Sequence, residues 1–376
     1  MRTVLISGGG IAGSALAGLL RDRGLVPTVV ERAPGPRRGG QAVDIRGVAL
    51  DVVERMGLLE RARAVRTHMR GMSVLDADGN EVHRSTEATF SSGRLDSADI
   101  EVLRDDLVGL LHDHTREGVE YLFGDSITAL TQDEGEDAGG VGGVRVDFAN
   151  GPSRTFDLVV AADGLHSTVR RLVFGPEEQF SRHLGSYLSV FGAENFLGLD
   201  NWQTWLQDGE VGFGIMPVRD NTELRIALGF ASGPLDGDQR DPERLRRLVT
   251  EKAAALRWEG ERLAKAAAEA PDFYCDAMAQ IHVDHWSRGR VVLLGDAGYC
   301  PSPLSGQGTS LALVGARVLA DELARPGADH RAAFARYEER MRPFVELNQA
   351  LATENPGGPA PEESVARAKN AISLDD

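Results

Sequence analysis

Three short segments of this chain carry residues whose types and spacing could do chemistry. The first runs Val4-Leu5-Ile6-Ser7-Gly8-Gly9-Gly10-Ile11-Ala12-Gly13, and a second apolar run, Thr28-Val29-Val30, ends at Glu31 and Arg32. Gly8, Gly10 and Gly13 keep G-x-G-x-x-G spacing. Gly8 permits a tight turn, Gly10 lets the backbone approach a pyrophosphate, and Gly13 lets a helix pack close to a strand. The helix that opens there turns the amides of Ile11 and Ala12, and the positive end of its dipole, toward phosphate. Glu31, about 20 residues on, is placed to accept hydrogen bonds from ribose hydroxyls. The segment predicts a bound dinucleotide and leaves FAD and NAD(P) both open.

The second segment is Leu158-Val159-Val160-Ala161-Ala162-Asp163-Gly164-Leu165-His166-Ser167-Thr168-Val169-Arg170: a buried strand, an Asp-Gly turn and a helix start. It reads equally as a capped strand-to-helix turn or as part of a ligand site. The third is Gly289-Arg290-Val291-Val292-Leu293-Leu294-Gly295-Asp296-Ala297, followed by Pro303-Leu304-Ser305-Gly306-Gln307-Gly308. Asp296, read as a buried carboxylate at a strand's end, can accept hydrogen bonds from a sugar-like hydroxyl. The Gly306 to Gly308 turn opens a helix whose amides can face an anion.

The elements that must hold these segments follow from periodicity. Residues to about 70 read as a βαβ unit, then an arginine- and glycine-rich loop at 34–41 and an amphipathic helix over 48–56 stopped by Gly57. Residues 71–90 read as a strand pair turning at Asp78-Gly79-Asn80. Apolar residues at 103, 107, 110 and 111 predict a helix over 100–113. The acidic, glycine-rich stretch 133–143 reads as a solvated hairpin tip between two strands, and 156–161 as one buried strand. Period-2 stretches at 187–191, 212–216 and 224–230 predict an antiparallel sheet, followed by a helix capped by Asp241 with Pro242 in its first turn. Long helices are expected over about 308–323 and 330–351. The expected organisation is a discontinuous α/β nucleotide domain (1–70, 95–175, 286–330), an inserted, mainly antiparallel sheet domain (71–94, 176–285), and a C-terminal helix and tail (331–376).

Composition narrows the partners. The 376 residues are 42% apolar and 26% charged, with a net charge of −16, which argues against nucleic acid and anionic membranes as partners. An anionic cofactor must then be held by local arginines. Cys275 and Cys300 are the only cysteines, so no disulfide framework is expected and a cytoplasmic setting is the default. No signal peptide, membrane-length apolar run or zinc-like spacing is apparent.

Together the three segments resemble, in order and spacing, the class A flavoprotein monooxygenases of the para-hydroxybenzoate hydroxylase type. The resemblance spans essentially the whole chain and leans toward tetracycline-inactivating and other antibiotic- or polyketide-modifying members. It implies a Rossmann-like, GR2-type FAD domain. It places Gly8, Gly10, Gly13, Glu31 and Arg32 on the ADP half of FAD, and Arg104 on FAD from the helix after the substrate-side loop. Asp163, supported by Arg170, falls in the motif shared by FAD and NAD(P)H. Asp296 matches the ribityl contact, and the turn Gly306 to Gly308 lies beside the flavin ring. The 37–44 loop, with Gln41 and Asp44, corresponds to the region where the flavin moves and nicotinamide approaches. Arg37, Arg38 and Arg46 are the expected anchors of a transient NADPH or NADH. The pattern departs from the family at Tyr299-Cys300-Pro301-Ser302-Pro303, where His-x-x-Pro-Pro is common, and at Ser310, where Asn is common.

The implied reaction is NAD(P)H-dependent hydroxylation, by O2, of an aromatic or polyketide-type small molecule through a flavin C4a-hydroperoxide. FAD is bound tightly but not covalently, in a monomer or weak homodimer. The cofactor carries the hard step, so no protein nucleophile is expected. His68, His166, His183 and His282 are scattered, with His183 and His282 kept as candidate bases. Gln203, Met216, Arg225 and Pro303 are the expected substrate contacts; Met216 reads equally as a core residue ending a strand, and Arg225 as a surface arginine. Trp202 and Trp205 do not fit the halogenase tryptophan motif and read as sheet-face aromatics. A flavin-dependent oxidase or reductase of the same fold is the alternative.

Overall fold

The computed structural model describes residues 2–36, 39–133, 142–235, 241–327, 329–355 and 358–375. The three motif segments converge because their strands are neighbours. Thr3–Ser7 pairs in parallel with Val26–Glu31 on one side and Leu158–Ala161 on the other, and Val291–Leu293 pairs in parallel beyond that. Glu120–Phe123 and Ser287–Arg288 complete the six-stranded sheet at its two edges. All three motif loops therefore leave carboxyl ends of adjacent parallel strands, the side on which open α/β sheets bind ligands. Val4, Leu5, Ile6, Val159, Val160, Val291 and Val292 are fully buried, as expected for strands covered on both faces. Helix Ile11–Asp22 packs against the long helix Gly308–Ala324.

A seven-stranded sheet forms the second layer. Its order is Tyr274–Ile281, Ser181–Glu194, Glu223–Ala231, Val211–Val218, Trp202–Asp208, Gly71–Leu75, Glu81–Ser85. Neighbours run antiparallel except Trp202–Asp208 and Gly71–Leu75. Phe213, Ile215, Leu224, Ile226, Leu228 and Phe230 point from one face into a core shared with helices Pro242–Ala254 and Gly260–Glu269. By strand alternation, Gly212, Gly214, Met216 and Arg225 belong to the other face.

Several boundaries differ from the sequence expectation. Residues 100–113 are not one helix: Ile100–Leu103 is a strand paired antiparallel with Ala42–Ile45, and the helix is Arg104–Thr115. Ile100 and Val102 are buried in this ribbon, a partnership that periodicity on one segment could not show. The stretch 156–161 breaks at Asp157, whose carboxylate accepts bonds from the Thr3 amide and hydroxyl. Arg154–Phe156 then joins a separate three-stranded sheet. Helix Gly260–Glu269 and the tail helix Glu362–Ala368 were not anticipated. Asp133 and Gly143 pair across Ile127–Asp133 and Gly143–Phe148, but the expected hairpin tip, 134–141, lies outside the described residues. Among the described residues no helix is long and apolar enough to cross a membrane.

Candidate active site

A cleft of about 320 Å³ opens where the parallel strands end. Gly8, Gly10, Ile11 and Ala12 line it from the first motif, with Glu31 and Arg32 at the end of the second strand. The glycines divide the work as their spacing suggests. Gly8 has φ +105°, and a Cβ there would stand 2.4 Å from the Ala162 carbonyl. Gly13 lies behind the lining: its Cβ would stand 1.9 Å from the Gly8 carbonyl oxygen. A Cβ on Gly10 would meet nothing of the protein within 4 Å, so the demand for glycine there comes from the cleft side. Glu31 accepts from the Gly9 amide (2.8 Å) and the Ala33 amide (2.9 Å), which fixes its carboxylate against the turn.

The opposite wall comes from the third motif. Asp296, Pro303, Gly306, Gln307 and Gly308 line the cleft. The strand stops at Leu293, and Asp296 begins a four-residue helix, Asp296–Tyr299. The expected buried carboxylate is instead open to the cleft, though ringed by protein. That enclosure raises its pKa, against the Cys300 thiol and the Arg104 charge, which lower it. Asp163 also faces the cleft, but its oxygens are engaged: Oδ1 accepts from Ser167 Oγ (2.5 Å) and Oδ2 from the Val169 amide (3.2 Å). Both readings of the Asp-Gly segment thus meet in one residue. Arg170 is buried and donates to the Ala297 and Leu165 carbonyls, tying the second motif to the third.

Gln41, Asp44 and Arg104 close the remaining side. Asp44 is 8% exposed and accepts from Arg46 Nη2 at 2.8 Å; burial pushes its pKa up to about 7, with Arg46 opposing and Glu101 adding to the rise.

Besides Gly13, four expected site residues do not line the cleft. Arg46, expected to anchor a passing phosphate, is buried: it pairs with Asp44 and donates to the Ser91 carbonyl at 2.9 Å. The position next to Gly306 and the Asp44 partner draw it inward. Gln203 is buried, donating to Ser91 Oγ (2.6 Å) and accepting from Trp205 Nε1 (3.0 Å). Arg225, which was expected to reach substrate or the surface, is buried in a separate polar hollow, with Glu223 at 3.3 Å and Asp272 at 3.6 Å. Met216 packs with Leu103, Val218, Ala42 and Met69, against the ribbon that walls the cleft. Arg37 and Arg38 lie outside the described residues.

Two side chains inside segments the sequence reading marked were not singled out there. Gln307 is fully buried, lines the cleft, and neither amide atom has a partner among the described residues. His166 also lines the cleft and sits between two carboxylates, Glu177 Oε1 at Nδ1 and Asp276 Oδ2 at Nε2, both 2.8 Å. Burial disfavours its charge, but the bonds to Asp276 and Glu177 prevail and lift its pKa to about 9. Its place inside the Asp-Gly segment was the available signal. His183 and His282, the candidates favoured from sequence, do not line the cleft; His183 accepts from the Gly185 amide and His282 meets Gln280.

The donor set fits a dinucleotide with a polar ring system. The helices starting at Ile11 and Gly308 both open onto the cleft, neither has a side-chain cap, and neither has an acid in its first turn. Their first-turn amides remain for an anionic ligand, and Gln307 offers one donor and one acceptor beside them.

Comparison with known proteins agrees. Residues 1–351 match the FAD-binding domain family. An uncharacterized protein of Mycobacterium tuberculosis is 51% identical over 378 residues, covering 100% of both chains. A flavin-dependent monooxygenase from an unknown prokaryotic organism is 40% identical over 350 residues, covering 93% of this chain and 88% of its own. The crystal structure of the tetracycline destructase Tet(55) superposes with a TM-score of 0.87 at 36% identity, covering 100% of this chain and 99% of the other. The chain belongs to the class A FAD-dependent monooxygenases. The monooxygenase therefore binds FAD, and the cleft is the site whose lining is compatible with it. Its lining offers the open amides of two helix starts, the carboxylates of Glu31 and Asp296, and the unpartnered Gln307 amide, a donor and acceptor set that fits FAD.

Proposed function

We infer that this enzyme consumes NADPH or NADH and inserts one oxygen atom of O2 into a small aromatic or polyketide-type molecule. The observation that carries this reading is the contact between the two layers. Met216, on the face of the large sheet turned away from its own core, packs against the Ala42–Ile45 and Ile100–Leu103 ribbon that walls the cleft. A substrate held between sheet and cleft would lie beside the bound cofactor and be shielded from water. Bound FAD supplies the redox chemistry, accepting electrons from the nicotinamide and passing them to oxygen. The protein's task is to hold and orient. Gln41 and Arg104 line the cleft and would hold the cofactor's ring, and Pro303 borders it where the second proline of the family's His-x-x-Pro-Pro would stand. Exclusion of water keeps electron flow coupled to oxygen insertion. The tetracycline destructase likeness, at 36% identity over the whole chain, supports a polycyclic aromatic polyketide over a small phenol.

The test is NAD(P)H oxidation and O2 uptake by the FAD-loaded enzyme across a panel of polycyclic polyketides and simple phenols, with ¹⁸O2 and mass spectrometry of the organic product. Substrate-stimulated oxidation with one labelled oxygen in the product is expected. Oxidation that no substrate stimulates, with all oxygen recovered as peroxide, overturns this reading and favours an oxidase or reductase of the same fold.

A further inference from the structure

The ribbon beside the cleft holds a cluster that binding of FAD does not account for. Asp44 and Glu101 face each other directly across the antiparallel pair, and both are buried, at 8% and 6% exposure. Arg46, two residues along on the same face, is the one cation placed against them among the described residues. Asp44 Oδ1 and Arg46 Nε have no partner among the described residues, while the Ser91 hydroxyl beside Glu101 favours its charged form against burial. Glu101 Oε1 accepts from Thr67 Oγ1 at 2.5 Å, and Thr67 is half-buried, reaching the surface.

Among the described residues the neighbouring elements bring no second cation against the pair. The long helix offers Ser310, the Ala88–Thr89 and Gly93–Arg94 hairpin offers Ser91, and the large sheet offers Gln203. Asp99, the other charge felt by Asp44, is already committed to Lys369 at 2.6 Å and to the Gly47 amide at 3.0 Å. Fully ionised, two carboxylates and one guanidinium would leave an uncompensated negative charge out of contact with water. Retaining one proton is the cheaper state.

We propose that Asp44 and Glu101 share a single proton at neutral pH and, through Thr67, form a proton port between the cofactor cleft and the surface. Burial raises both acids, Asp44 to about 7, where a group can both hold and release a proton under working conditions. The pair titrates as a unit, so the proton belongs to neither acid alone. Its use rests on the monooxygenase activity. Written from the anionic reduced cofactor, the balance is FADH⁻ + SH + O2 + H⁺ → FAD + SOH + H2O. One oxygen atom forms the new bond to substrate, the O–O bond breaks, and the other atom leaves as water. One proton per turnover must enter from solvent, and the port supplies a path.

The shared proton is tested apart from turnover, by infrared spectroscopy of the FAD-loaded enzyme. A protonated-carboxyl C=O band that disappears with a midpoint near pH 7 is expected. Asp44→Asn should leave Glu101 alone to titrate and so displace that midpoint. Glu101→Gln should move it by more than one pH unit toward the ordinary carboxylate range, because a like charge is removed. Thr67→Val should slow hydrogen–deuterium exchange of the band at least tenfold while leaving its midpoint in place. A band absent at pH 6, or untouched by both acid variants, overturns the shared proton. Unchanged exchange in Thr67→Val overturns the port. If the band behaves as expected but Thr67→Val and Glu101→Gln leave the pH profile of cofactor reoxidation unaltered, the role in turnover falls while the monooxygenase activity stands.

Discussion

Replacing His166 by Gln should remove a pH-dependent clamp between the cofactor side of the molecule and the large sheet. Both ring nitrogens face carboxylates at 2.8 Å, Glu177 at Nδ1 and Asp276 at Nε2. Only the imidazolium can donate from both. The folded pKa of about 9 lies above the ordinary 6.5, so folding takes up a proton between these values. The resulting stability is fully present below pH 6.5 and is lost as pH rises through 9. A rise of about 2.5 units at about 1.4 kcal/mol each gives an upper bound of roughly 3 kcal/mol. The side chain is 30% exposed, and solvent screening trims this to about 2 kcal/mol. For 376 residues at about 2.1 cal/mol/K each, the unfolding entropy is roughly 0.8 kcal/mol/K, so the clamp shifts Tm by about 2–3 °C. Thermal melts of the FAD-loaded wild type and His166→Gln from pH 6 to 9.5 read this directly. The difference in Tm between them should be largest at pH 6 and shrink to near zero by pH 9.5. A difference that does not change with pH refutes a protonated His166 held by two acids.

The glycines of the first motif should separate stability from binding. Gly13→Ala drives a methyl into the Gly8 carbonyl and should cost about 1–3 kcal/mol in denaturant melts, whereas Gly10→Val should melt like wild type without cofactor and retain no FAD after gel filtration. Asp296→Ala should keep its circular dichroism but lose FAD, with added FAD raising the Tm of wild type far more than that of the variant; stoichiometric retention refutes the ribityl assignment. Glu322 has no exposed side-chain surface and is held by Arg325, Arg336 and Arg340 between the two long C-terminal helices, so Glu322→Gln should lower stability by about 3 kcal/mol, and a loss under about 1 kcal/mol would show the cluster to be dispensable.

What could be read from sequence was whatever is local along the chain. A glycine turn between a strand and a helix is encoded by neighbours, so the first motif, the helix 308–324 and the Asp241 cap appear in the structure as their residues suggest. Long-range partnership has no such local record. The strand Ile100–Leu103 looks helical by apolar spacing because its helix follows without a break, and only its pairing with Ala42–Ile45 makes it a strand.

The same limit governs the polar residues. An arginine beside a nucleotide loop reads as a phosphate anchor, since charge in a sequence suggests charge at a surface. Arg46 turns inward because Asp44, two residues before it, is pinned opposite Glu101 by a ribbon invisible to periodicity. His166 likewise reads as one scattered histidine among several until Asp276, 110 residues away on another sheet, is folded against it. In both places, chemistry is created where a motif residue meets an acid brought from a distant element. Cleft-lining backbone is therefore legible from spacing, whereas protonation state is a property of the tertiary fold. That is why the two titrating clusters of this cleft, rather than its glycines, are where experiment will separate this enzyme from others built on the same motifs.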